Sequence, residues 1–204
     1  MLVEISRLFD VLLERAFLTD RGLVRALIDW SASLREDAER DSIFGELAIR
    51  IARVRMVEDA EALARRINSS HERSQYLRQV AESELSVGER ARAIALLREA
   101  ITVAETLPPD WYWERAEVLA HIAKVLYQAD EKEAAVEQWN VAISVARSGE
   151  AADPNSIDCS AVLWTISRML AGAGMTEQAQ VVAQAIRDDQ RREGALHDLE
   201  KARG

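Results

Sequence analysis

Residues 119–143 read LAHIAKVLYQADEKEAAVEQWNVAI. Two apolar stripes lie in this stretch: Leu119, Ile122, Ala123 and Leu126, then Ala135, Trp139, Ala142 and Ile143. Intervals of three and four residues put each stripe on one face of a helix. Between them runs the short segment Ala129-Asp130-Glu131. Aspartate tolerates the left-handed backbone space in which a helix often ends. The stretch therefore predicts two helices joined by a tight turn. Ala123 and Ala135 are small enough to let the two backbones approach closely.

The same arrangement recurs along the chain. Ala48, Ala81, Ala123 and Ser167 occupy the small position of a first helix, and Ala60, Ala93, Ala135 and Ala179 that of a second. Each pair is twelve residues apart, and both series advance in steps of 33, 42 and 44. Other columns agree. One residue before the first small position stand Leu47, Val80, Ile122 and Ile166, and four before it Phe44, Leu77, Leu119 and Leu163. Three residues after it come Ile51, Glu84, Leu126 and Leu170, where Glu84 is discordant. Seven after it come Arg55, Gly88, Asp130 and Gly174, the expected turn position. In the second helix Ala64, Leu97, Trp139 and Ala183 follow the small residue by four, and Ile67, Ala100, Ala142 and Ile186 by seven. Repeats of this period indicate stacked supersecondary units.

The pattern resembles the tetratricopeptide repeat, a helix pair with a Leu-small pair and an aromatic in its first helix and Ala, an aromatic and Ala in its second. Leu119, Ile122-Ala123, Leu126-Tyr127, Ala135, Trp139 and Ala142-Ile143 carry the best match. The resemblance spans about residues 42–187. It implies an all-α fold, a right-handed α-solenoid of TPR-like antiparallel hairpins. The whole of 1–204 then reads as a single helical-repeat domain: an N-terminal helix pair over 1–41, about four repeats over 42–187, and a capping helix over 188–204. In the N-terminal pair, residues 2–18 form one amphipathic helix and Leu23 to about Leu34 its partner. Two breaks stretch the middle units. Leu107-Pro108-Pro109-Asp110 ends one helix, because proline cannot continue it, and Asp110 can cap the next. The second runs from Ser148 through Gly149 to Ser156, with Asp153 or Ser156 as the following cap.

Composition bounds the function. The chain has 204 residues, is 49% hydrophobic and 30% charged, and holds only 8 Gly and 3 Pro, which excludes a disordered chain. The net charge of −9 is spread without a basic tail or stripe, so no nucleic-acid partner is expected. No uncharged apolar run is long enough to cross a membrane, and no secretory signal is evident. The single cysteine, Cys159, cannot form an internal disulfide, which points to a cytoplasmic location; it is assigned to packing.

No motif carries recognisable chemistry. His71, His121 and His197 lack partners at metal-ligand spacing, and Ala171-Gly172-Ala173-Gly174 lacks the lysine of a phosphate loop. The expectation is a protein that is not an enzyme and needs no cofactor or metal. Trp139 is assigned to the core, Trp113 to packing at the start of its helix, and Trp111 to packing against the proline turn, with an exposed interface residue as its alternative.

By the resemblance, first-helix side chains line a concave groove. Arg53, Arg78, Lys124 and Arg168 would face it, with Tyr127 and Trp164 among them. A row of cations amid aromatics suits a protein or peptide ligand bearing carboxylates. The simpler reading makes these cations solvated charges paired with Glu82 or Glu117. The family's two-carboxylate clamp does not carry over, since its asparagine positions are unmatched. Two alternatives to a peptide-binding scaffold remain: self-association into a homodimer through the N-terminal pair or the end of the stack, and a sensor or enzyme with a small-molecule pocket in the groove.

Overall fold

The computed structural model describes residues 21–33, 37–53, 55–153 and 157–201. Among them are ten helices and no strand: α1 Arg21–Ala32, α2 Asp37–Arg53, α3 Val57–Ala64, α4 Ser70–Ser86, α5 Arg90–Glu105, α6 Tyr112–Gln128, α7 Lys132–Ala152, α8 Ile157–Gly172, α9 Thr176–Gln184 and α10 Asp189–Lys201. No described helix is long and apolar enough to cross a membrane. The helix expected over 2–18 lies outside the described residues, and its expected partner is α1.

Four pairs pack most extensively: α2 with α3, α4 with α5, α6 with α7, and α8 with α9. The first helices also pack in sequence, α2 on α4, α4 on α6, α6 on α8, and α8 on α10. Each second helix packs on the first helix that follows it. Extensive contacts among the described helices thus join elements one or two apart in chain order. Every residue in the seven core columns read from the sequence is buried, from Phe44 to Ile186 and including Ser167 and Glu84. All eight small residues have no exposed surface.

The pairs close by one repeated turn. The described non-glycine residues with left-handed backbone are Arg55 (φ 63) and Asp130 (φ 62), and the glycines are Gly88 (φ 91) and Gly174 (φ 79). These are the four predicted turn positions. The residue after each donates its N–H five residues back: Met56 to Ile51 at 3.1 Å, Glu89 to Glu84, Glu131 to Leu126 and Met175 to Leu170 at 2.9 Å each. This six-to-one bond, with the shorter bond inside it, caps carbonyls that the helix end leaves unpaired.

A further set of bonds ties turn to turn. The Arg55 guanidinium donates to the carbonyl of Val87 at 3.3 Å. Arg90 Nε donates to that of Ala129 at 2.6 Å. The Tyr127 hydroxyl donates to that of Ala173 at 2.7 Å. Each accepting carbonyl belongs to the residue immediately before the next left-handed position. The second helices are joined as well, by Arg65 to Glu99 at 2.8 Å and Arg92 to Glu61 at 3.0 Å.

Two boundaries differ from the sequence reading. The N-cap of α6 is Trp111 rather than Asp110, because Trp111 N–H donates to the Pro108 carbonyl and holds residues 108–111 in a turn. The break expected from Ser148 begins only after Ala152. Gly149 is helical and buried. A Cβ there would lie 2.4 Å from Cys159 Sγ and 2.6 Å from Tyr112 Cβ. This glycine serves the close approach of α6 and α8 to α7, not a turn. Residues 154–156 lie outside the described set, so Ser156 as a cap does too.

Among the described residues three acids are buried. Asp41 Oδ2 accepts from the backbone N–H groups of Asn68 and Ser69 at 2.9 and 3.0 Å. Glu150 Oε1 accepts from Ser160 Oγ at 2.5 Å, and the Glu150 carbonyl accepts from Arg187 at 2.8 Å. Glu84 has no exposed surface, and neither of its carboxyl oxygens has a partner. Burial pushes its carboxyl up to about 7, with Glu61 adding to the rise and Arg92 opposing it.

Between the ordinary carboxyl range and about pH 7, the folded chain holds a proton at Glu84 that the unfolded chain releases. Stability from this site therefore falls as pH rises through that window. Glu84→Leu is expected to raise the melting temperature near pH 8, by an amount equivalent to about 1–3 kcal/mol, and to flatten the slope between pH 5 and 7. Thermal melts of both proteins across that range check it; an unchanged slope contradicts the assignment. At the third turn, Asp130→Gly removes left-handed strain and is expected to stabilise by about 0.5–1 kcal/mol in urea unfolding.

Candidate functional site

The candidate site lies on the seam between α6 and α8. These helices run side by side in the same sense, since residues 113–121 of α6 share a cavity with 158–165 of α8, and 124–128 share one with 165–173. The second cavity, of about 450 Å³, is bordered by Lys124, Tyr127, Thr165, Arg168 and Gly172, with Trp139 of α7 at its wall. Lys124 is exposed and makes no ion pair among the described residues. Arg168 is 67% exposed, and its nearest acid is Asp198 at 3.8 Å. Trp139 is buried, and its indole N–H has no partner. Its ring meets that of Tyr127 at 5.7 Å between centroids, tilted by 41°.

The sequence-predicted site residues divide four ways. Lys124, Tyr127 and Arg168 come together at this cavity. Tyr127 contributes its ring, because its hydroxyl is engaged by Ala173. Trp164 stands on the far side of α8. Its Nε1 donates to Asp198 at 3.1 Å, and a Cβ on Gly194 would lie 2.9 Å from its ring. It borders a separate depression of about 620 Å³ between α8 and α10, with Ile157, Arg191 and His197. Arg53 is exposed at the last position of α2.

Arg78 is largely enclosed. Its side chain is 14% exposed and pairs with Glu82 at 3.2 Å, so the pair of the simpler sequence reading is present but the guanidinium is enclosed and not solvated. Burial lowers its guanidinium below the ordinary value, with Glu82 and Glu117 opposing the shift.

Sequence reasoning missed the adjoining cavity, of about 200 Å³, bordered by Trp113, Glu117, His121, Asp158 and Thr165. Trp113 is 39% exposed rather than packed at its helix start, and Trp111 is 42% exposed rather than packed against the proline turn. The signal was the spacing of Trp113, Glu117, Ala120 and Lys124, which lie on one face of α6. Burial pushes the His121 imidazole down to about 4, helped by Arg78 and Lys124. It is neutral at pH 7. No group of three or more His, Cys, Asp or Glu among the described residues is placed to hold a metal ion.

No family model matches the chain, and no curated protein matches it. The crystal structure of Ton1535 from Thermococcus onnurineus NA1 is similar in fold, with a TM-score of 0.63 at 16% identity. The match covers 97% of this chain and 58% of that one, so this chain spans little more than half of that protein's length. The likeness is one of fold alone and supports the all-helical class.

Gly194→Val is expected to expel the Trp164 indole from α10 and lower stability by about 1–3 kcal/mol, the usual cost of overpacking. Amide and indole exchange by NMR checks it: the Trp164 indole proton loses protection, while that of Trp139 keeps it.

Proposed function

We propose that this chain is a non-catalytic scaffold that binds a protein segment or peptide along its first helices. In this reading the four helix pairs form a right-handed TPR-like solenoid, α10 caps it, and the first helices α2, α4, α6 and α8 line its concave surface. Extensive packing among the described helices joins near neighbours, which supports an open stack, because a closed bundle would pack distant helices extensively. The observation that carries the functional reading is the cavity at the α6–α8 seam. Lys124 and Arg168 flank it with little or no compensation, and two aromatic rings back it. A carboxylate entering there gains two charge-assisted bonds and excludes water against Tyr127. The buried cysteine fits a cytoplasmic setting.

The test is quantitative capture from a lysate by immobilised protein, compared with a Lys124→Glu, Arg168→Glu double variant. Both residues are exposed, so the variant is expected to keep its circular-dichroism melt and to lose captured partners at least tenfold. Arg78 is a poorer choice, because replacing an enclosed guanidinium disturbs folding itself. Equal capture by both proteins contradicts the groove.

A further inference from the structure

The two cavities along the α6–α8 seam are both bordered by Thr165, so they adjoin, and the two in a row make up a trough along the seam. Their charges are segregated. The charged residues bordering the larger cavity are Lys124 and Arg168. Those bordering the smaller are Glu117 and Asp158, beside a neutral His121. Compensation of helix dipoles does not account for this. Such effects fade beyond the terminal turn. Asp158 alone lies within one; Glu117, Lys124 and Arg168 stand further inside their helices. From α4, Arg78 faces Glu117 but is already paired with Glu82.

We propose that this trough takes one extended protein segment, with an arginine at the Glu117–Asp158 end and an acidic residue at the Lys124–Arg168 end. The inference rests on the reading of the seam as a peptide groove and adds polarity to it. Seven residues separate Glu117 from Lys124 and ten separate Asp158 from Arg168. At about 1.5 Å per helical residue these are spans of about 10 and 15 Å. An extended chain advances about 3.3 Å per residue, so the two ligand charges sit about three to five residues apart. Trp113 explains the choice of arginine. It is half-exposed, borders the acidic end, and lies one helical turn from Glu117. A guanidinium stacked on its ring can meet the carboxylate as well, which an ammonium does less effectively.

The experiment is selection of random heptapeptides displayed on phage against three immobilised proteins: the wild type, Lys124→Glu with Arg168→Glu, and Glu117→Arg with Asp158→Arg. The wild type is expected to enrich sequences with arginine and Asp or Glu three to five residues apart, at least tenfold over the starting library. Each double variant is expected to lose the requirement at its own end only. A synthetic wild-type winner is expected to bind at least tenfold more weakly, by fluorescence anisotropy, once its acid and base are made adjacent. Enrichment of acidic peptides without arginine, unaffected by Glu117→Arg with Asp158→Arg, overturns the polarity and leaves the groove standing. Selection that depends on neither pair, or that yields no enriched sequence, overturns both.

Discussion

A helix that reverses within three residues must place one residue in left-handed space and leaves its last carbonyls seeking donors. That constraint organises the molecule. It is met four times with the same six-to-one bond, at Arg55, Gly88, Asp130 and Gly174. The carbonyl just before each of the last three positions is then taken by a donor from the preceding pair: Arg55, Arg90 and Tyr127. The turns are therefore linked in chain order. Because the turns are aligned, the first helices are aligned too, and α6 and α8 run side by side.

Much of this was legible in the sequence because it is local. The small residues, the apolar columns and the turn position recur at fixed offsets, and a fixed offset on a helix is a fixed direction. The seven helix columns are buried, and the turn column is exposed. The grouping of Lys124, Tyr127 and Arg168 was legible for the same reason. What was not legible depends on residues far apart in the chain. Gly149 reads as a helix breaker until Tyr112 and Cys159 are seen against it. Trp164 reads as a groove residue until α10 brings Asp198 and Gly194 over it. Trp111 and Trp113 read as packed because tryptophan usually is, yet each keeps about two fifths of its surface exposed.

Glu84 shows a conflict between levels. Its column requires an apolar side chain, and its neighbours in that column are Ile51, Leu126 and Leu170. Asp41 and Glu150 are as deeply buried, but each finds backbone or hydroxyl donors at a junction between pairs. Those two acids hold junctions together. Glu84 sits one turn before a hairpin closure, where the nearby N–H groups already serve the six-to-one bond. Its backbone carbonyl fits the fold and its side chain does not.

The location of the trough follows from what fills the equivalent seams. Three residues before the small position of each first helix stand Gly45, Arg78, Ala120 and Trp164. At Gly45 the ring of Tyr76 from α4 occupies the space, so close that a Cβ would overlap it. At Arg78 the guanidinium lies down against Glu82 and is largely enclosed. At Trp164 the indole, held by Asp198 and fitted against Gly194, takes up part of the seam and borders the depression between α8 and α10. At Ala120 the side chain is a methyl group, and Thr165 across the seam is short. Neither reaches far enough to close the gap between α6 and α8. The third seam stays open for want of side-chain volume, and the charges that border it are left facing solvent.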